Sequence, residues 1–347
     1  MNWKIDVDEM VTFLVGLLEI PSPTGDTGRV MAYVAEHFAP LPFEMSLNSK
    51  GVLAGTWAGA AGDAPRAVTA HVDTLGAVVS AIKDNGRLKL SQLGSWSWTS
   101  VEGEGATVFA SSGQAIRGSF LPETASFHAC PKDKREAAHT GDDMEIRIDG
   151  RTASKEETEA LGIRVGDVVA FDPRVEISEA GFIRSRHLDD KAGVATIFGA
   201  LRAIDRAGKS PGQRTTIHIS NYEEVGHGAS AGLPDDLAEL LVIDMAVVAP
   251  RQTSDEYSVT VCAKDAGGPY DLAMRRNLEK LAEEMDLEVR TDVYPGYGSD
   301  GEAYWFSGGE ARVALIGPGV DASHHYERTH RDALENTAKL IVGYLVS

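Results

Sequence analysis

The sequence predicts an α/β sandwich interrupted by an inserted all-β domain. Helical and strand patterns alternate from the N-terminus to residue 74. Between residues 75 and 182 the chain instead gives short β-like runs broken by Gly and Pro. From 183 to 347 the helix–strand alternation returns. Alternation on both sides of an all-β block implies one α/β unit, residues 1–74 and 183–347, carrying a second domain, 75–182, between two of its elements.

Met10, Phe13, Leu14, Leu17 and Leu18 recur at helical spacing and predict an amphipathic first helix, stopped by "PSPTGDTG". A second helix is expected through "RVMAYVAEHF", then strands in "GVLAGTW" and "RAVTAHVDT". In the inserted region "AVVSAIKDNGRLKL", "ATVFASSGQAIRGSF" and "RVGDVVAFDP" read as strands and "PKDKREAAHTGDD" as a charged loop, together a small barrel. Val194, Ile197, Phe198, Leu201 and Ile204 form the next helical stripe. "TTIHIS", "VIDMAVVA", "YSVTVCA" and "ARVALIGPG" are apolar strands, with a helix through Leu278, Leu281 and Met285 before the last. Leu334, Ala338, Ile341 and Leu345 place a final helix at the C-terminus.

A chain of 347 residues is long enough for two cores. Its net charge of −19 argues against nucleic acid or an anionic membrane as partner. Two cysteines, Cys130 and Cys262, give neither a disulfide framework nor a zinc–thiolate spacing, so a reducing cytoplasm is the expected location. The N-terminus lacks a signal-peptide cleavage pattern, and no apolar run approaches the ~18 residues that span a bilayer.

Acids and histidines concentrate at the ends of predicted core elements. "TAHVD" ends a strand with His71 and Asp73, whose spacing of two puts them on one face, where Asp73 can hold the far nitrogen of His71. "RHLDDKAGVA" places Asp189 and Asp190 at a helix start, where one acid suffices as a cap. "NYEEVG" sets Glu223 and Glu224 side by side after a buried strand, and "VIDMA" puts Asp244 inside an apolar run. "ASHHYERTHRD" brings three of the ten histidines within seven residues. Singly these are a strand end, a capping pair and solvated turns. Together they are a set of imidazoles and carboxylates suited to two hard or borderline divalent ions. Two ions ~3.5–4 Å apart need a bridging carboxylate and terminal ligands on each. They also need a carboxylate free of the metal to take a proton from bound water. One glutamate of the pair is then base and its neighbour ligand.

In their order, "AHVDTLG", "LDDKAGV", "EEVGHGAS", "GSDGEA" and "SHHYERTH" resemble the tetrahedral (TET) or deblocking aminopeptidases, peptidase family M42, nearly end to end. That family belongs to the dinuclear zinc-type exopeptidases. "SRHLDDKAGVA" and "GVDASHHYERTH" look most like a branch tied to the osmoprotectant N-acetylglutaminylglutamine amide. The resemblance implies a three-layer α/β/α zinc-exopeptidase sandwich with an inserted small β-barrel-like domain that makes dimer contacts, the dimers building a tetrahedral dodecamer. Carried over, it makes His71, Asp189, Glu224, Asp244 and His324 ligands of two divalent ions (Zn, with Co or Mn as alternatives). Asp189 bridges, with a cis peptide to Asp190; Glu223 is the general base, Asp73 supports the catalytic group from behind, and Asp300 lines the substrate pocket.

Several departures accompany the match. The family's last histidine stands four residues before a glutamate; here His324 is three and His325 two before Glu327, and His324 is preferred as ligand. The segment after the glutamates is one residue shorter and carries His227, read as a loop residue. Ser299 stands where Thr is commoner. The implied reaction is metal-assisted hydrolysis of N-terminal residues from peptides, with Asp300, Asp190 or Glu223 to hold the substrate ammonium. A dinuclear amidase or deacylase acting on a small acylated dipeptide uses the same residues. A glycosidase needs only two carboxylates and leaves the histidines idle. A non-catalytic assembly protein would have lost donors that are present here.

Overall fold

The computed structural model describes residues 3–135 and 137–347. They divide into two compact units, one running to Thr74 and resuming at Arg174, the other Leu75–Pro173. The sequence places the return to the larger unit at residue 183, the structure at Arg174. Glu176–Ile177 pairs antiparallel with Phe182–Ser185, which pairs in turn with Glu327–His330. Residues 174–182 therefore belong with the larger unit.

The larger unit is built on a mixed sheet. Its centre is four parallel strands in the order Gln213–Ser220, Ala61–His71, Glu239–Ile243 and Arg312–Asp321. Buried on both faces, these strands read as nearly continuous apolar runs. Alternate residues serve different cores. Val68, Ala70, Leu241, Ile243, Ala314 and Ile316 pack with the long helices. Their neighbours Ala67, Leu240, Val242, Val313 and Leu315 pack on the other face with Tyr270, Tyr294 and Tyr304.

The two faces are covered unequally. Helices Val7–Glu19, Gly28–Phe38, Leu188–Arg206, Leu272–Glu284 and Arg331–Val346 contribute to the first core. The second core takes Tyr304 from the short helix Asp300–Phe306 and otherwise strand and loop residues. The first helix follows from its sequence. Asp6 caps it by accepting from the Glu9 N–H, and Phe13, Leu14 and Leu17 are fully buried, each worth roughly 1.5–3 kcal/mol of burial.

The smaller unit is a closed antiparallel barrel in the order Gly76–Ile82, Leu88–Leu93, Met144–Ile148, Ala115–Pro122, Gly105–Phe109, Val168–Phe171. Leu88, Phe120, Met144, Ile146 and Val169 fill its interior. Closure removes the exposed strand edges that short antiparallel sheets otherwise present. Within the segment read as a charged loop, Lys132–Arg135 forms one helical turn. Among the described residues no helix is long and apolar enough to cross a membrane.

Candidate metal centre

Gln213–Ser220, Ala61–His71 and Glu239–Ile243 finish close together, and the donors stand at or beyond the ends of the parallel strands. The strand Ala61–His71 ends on His71, level with Ser220 of its neighbour. Beyond Ser220 the chain turns through Tyr222 in the left-handed region (φ 75°) into the short turn Glu223–Val225. Asp244 falls between Glu239–Ile243 and Ala246–Val248. Asp189 lies at the start of Leu188–Arg206, joined to Asp190 by a cis peptide. His324, also left-handed (φ 63°), sits in the turn between Arg312–Asp321 and Glu327–His330. A crevice beyond the carboxyl ends of parallel strands is the general ligand position in open α/β sheets.

"VIDMAVVA" is two strands with the acid at the break, where the Asp244 N–H still donates to the Ile316 carbonyl. Glu223 and Glu224 follow the strand, as expected, in a short turn.

The donors fall into two groups, His71 with Glu223 and Asp244, and Asp189 with Glu224 and His324, each with donor atoms within 4.8 Å of one another. Asp189 links them. Its Oδ1 is 3.2 Å from His71 Nε2 and its Oδ2 is 3.3 Å from His324 Nε2. Glu223 Oε2 is 3.5 Å from His71 Nε2, and Glu224 Oε2 is 3.8 Å from His324 Nε2. His325 lies outside both groups, its Nδ1 3.5 Å from the Ser323 carbonyl. His227 also lies outside, its ring stacked on Tyr222 at 5.0 Å.

The tautomer of His71 shows what this arrangement needs. Nδ1 is 2.9 Å from the Asp73 carbonyl oxygen, which only accepts, so Nδ1 carries the hydrogen. In a neutral ring Nε2 then turns a lone pair toward two carboxylates. Only a proton or a cation at that point makes the contact favourable. Among the described residues two further acceptors, Glu224 Oε1 and Asp244 Oδ1, are buried without a well-formed hydrogen bond, and the Tyr297 phenol lies beside the Asp244 carboxyl. Burial, then the charge of Asp189, raises Glu224 and Asp244 well above ordinary carboxylates. Burial also raises Glu223, with Asp244, Asp300 and Glu224 adding to it against the opposing effect of His71. Burial disfavours a charged His71, but Glu223, Asp189, Asp73 and Asp244 overcome this and raise it well above its usual value. The donor set thus fits a pair of divalent cations, which would satisfy the unpaired oxygens and offset the clustered charge.

The remaining expected residues are placed as follows. The Asp73 carboxylate is 3.6 Å from His71 Nδ1 and is engaged elsewhere. It accepts from the Glu223 N–H (3.2 Å), the Glu224 N–H (3.4 Å) and the Thr24 hydroxyl (2.7 Å). Asp73 therefore holds the glutamate turn, and its backbone, not its side chain, orients His71. Asp190 is buried and accepts from the His71 N–H at 3.4 Å and the Gly193 N–H at 3.1 Å. Asp300, expected to line the pocket, is 2% exposed. Its oxygens accept from the Ser220 hydroxyl, the Thr69 hydroxyl (3.5 Å) and the Ala229 N–H (2.7 Å). Its carboxylate is committed to the loop after the glutamates and is not free for a substrate ammonium.

Sequence reasoning missed two residues. Tyr297, within "GYGSDGEA", has a buried hydroxyl without a well-formed hydrogen bond among the described residues, close enough to Asp244 and Asp189 to feel their charge. Glu327 entered only as a spacing marker, yet its buried carboxylate accepts from the Asp189 N–H at 3.1 Å and the His324 N–H at 2.9 Å.

Residues 51–340 match the family model described as M42 glutamyl aminopeptidase. A Bacillus subtilis (strain 168) protein named "Putative aminopeptidase YhfE" is 44% identical over 331 residues, spanning 95% of either chain. Among solved structures, a TET aminopeptidase from a marine-sediment thaumarchaeote matches with a TM-score of 0.88 at 20% identity, over 98% of this chain and 97% of that one. The Pyrococcus horikoshii TET1 peptidase, which can assemble into a tetrahedron or a large octahedral shell, matches with a TM-score of 0.86 at 20% identity, over 97% and 99%. At such identities the structural likenesses establish the fold.

Proposed function

The chain belongs to the M42 glutamyl aminopeptidase family and is a peptide hydrolase; on that premise we propose that it removes N-terminal residues from peptides at a centre of two divalent ions, zinc in the first instance and cobalt or manganese as alternatives. The observation that carries this reading is the Asp189 carboxylate, which turns one oxygen to each of two imidazoles. His71 and Asp244 would hold one ion, Glu224 and His324 the other, and Asp189 both. When bound, such a pair polarises a carbonyl and acidifies water.

The chain's own residues supply the rest. Glu223 is the proton carrier. Its side chain is 14% exposed against 4% for Glu224, so it is the one of the pair open to substrate and water. It takes a proton from the attacking water and returns it to the leaving amine. With Asp190 and Asp300 committed inside, Glu223 is also the carboxylate left to face the substrate ammonium. The Tyr297 phenol is kept protonated by burial and by Asp244, and it would serve as a neutral donor beside that carboxyl. Asp73 fixes the turn that separates base from ligand.

The barrel is proposed as the surface through which subunits pair, and a homo-oligomer of the TET kind as the assembled form. Cys130 and Cys262, buried and free, suit a reducing cytoplasm.

The function is tested with unblocked and N-acetylated peptides after chelation and readdition of zinc, cobalt or manganese. Stepwise shortening from a free N-terminus, restored by one of these ions, supports the reading. Hydrolysis of acetylated or amide-capped small substrates with none of free-amine peptides replaces it with a dinuclear amidase or deacylase.

A further inference from the structure

We infer that Glu327 is a positioning residue that sets the second donor group, Asp189 with Glu224 and His324; this rests on the two-ion reading above. Its two oxygens hold the backbone amides of two residues distant in sequence. Oε2 accepts from Asp189 and Oε1 from His324. The side chains of those same two residues meet at 3.3 Å. One carboxylate thus ties the main chain on either side of the gap that an ion would span.

The chemistry at this point calls for a carboxylate. Both partners are N–H groups, so the clamp must accept on both sides, and a carboxyl presents an oxygen to each. A glutamine in the same shape turns an NH₂ toward one of the amides and loses that hold. The need is greatest at His324. Its side chain is 35% exposed, against 1% for His71, and its backbone is left-handed at a residue with a Cβ. Glu327 itself is well founded. It begins the strand Glu327–His330 and pairs with Ser185 in the strand that leads to Asp189.

The test is calorimetric titration of zinc into the chelated full-length protein and its Glu327→Gln and Glu327→Ala variants, with amide hydrogen exchange read at residues 189 and 324. Glu327→Gln is expected to fold, to keep the affinity for one ion, and to lose ~10–100-fold for the other, the range for residues that support a ligand from behind. Exchange at those two amides should quicken before any global change. Equal affinities in wild type and Glu327→Gln, with two ions bound to each, overturn the inference and leave the two-ion reading intact. A wild type that binds no zinc removes the reading itself. A lowered melting temperature in both variants with unchanged ion affinities assigns Glu327 to stability alone and likewise overturns the inference.

Discussion

Asp189 Oδ1 lies 3.2 Å from Nε2 of His71, while its other oxygen faces His324. A single side chain is thus common to both donor groups. Asp189→Ala should therefore abolish tight binding of both ions, and Asp244→Ala should weaken one. Metal content after dialysis separates the outcomes, with losses above ~100-fold expected for Asp189, more than for a residue acting from behind a ligand. Retention of two ions by Asp189→Ala would exclude a bridging role.

Glu223 and Glu224 should part company on substitution. Glu223→Gln is expected to keep both ions and lower kcat by ~10²–10⁴, the usual range for a general base. Glu224→Gln should weaken ion affinity first, and excess metal should restore part of its activity. The opposite assignment of the two phenotypes would reverse the roles.

Ion binding should be coupled to protons, and the sign follows from the shifts. Burial and neighbouring charge hold Glu224 and Asp244 protonated to higher pH than ordinary carboxylates. Ligation requires them ionised, so binding releases protons and affinity climbs with pH. Titration in buffers of different ionisation enthalpy measures the number released. A heat independent of buffer at neutral pH would show that these acids are already ionised.

Tyr297→Phe removes a buried hydroxyl that has no well-formed hydrogen bond among the described residues. Such a deletion costs little stability, because at most a weak contact with Asp244 is lost. The melting temperature should hold while kcat falls; unchanged kcat and KM would exclude contact with substrate. Asp300→Ala should behave in the opposite way. It strips acceptors from Ser220, Thr69 and Ala229 and should cost roughly 1–3 kcal/mol of stability. If it instead abolished the preference for a free amine without loss of stability, Asp300 would be a substrate contact after all.

Sedimentation in metal-replete buffer tests assembly. A homo-oligomer is expected, and interface substitutions in the barrel should dissociate it without unfolding either unit. A stable monomer would refute the proposal.

Much of this could be read along the chain, because periodicity reports burial. Phe13, Leu14 and Leu17 mark a buried helical face, and the apolar run before Glu223 marks a strand covered on both sides. The types of donor were legible for the same reason, since acids at the ends of apolar runs are conspicuous. Their settings were not. Whether Asp244 lies in a strand or at its break depends on pairing with Ile316, a partner over seventy positions away. The commitment of Asp300 to Ser220 and Ala229, and of Glu327 to two amides, are tertiary hydrogen bonds that leave no local signature.

The separation of these partners along the chain bears on how the protein matures. His71 and Asp189 are 118 positions apart, and Asp189 and Glu327 are 138. During synthesis from the N-terminus, the acids emerge long before the turn that carries His324. A nascent chain arrested ahead of that turn has the first donor group's residues but lacks what closes the second. Loading with two ions is then a late event, dependent on completion of the last strands, and the barrel emerges from the ribosome before the centre exists. Pulse-labelled chains captured in the presence of zinc should reach their folded barrel ahead of their full complement of metal.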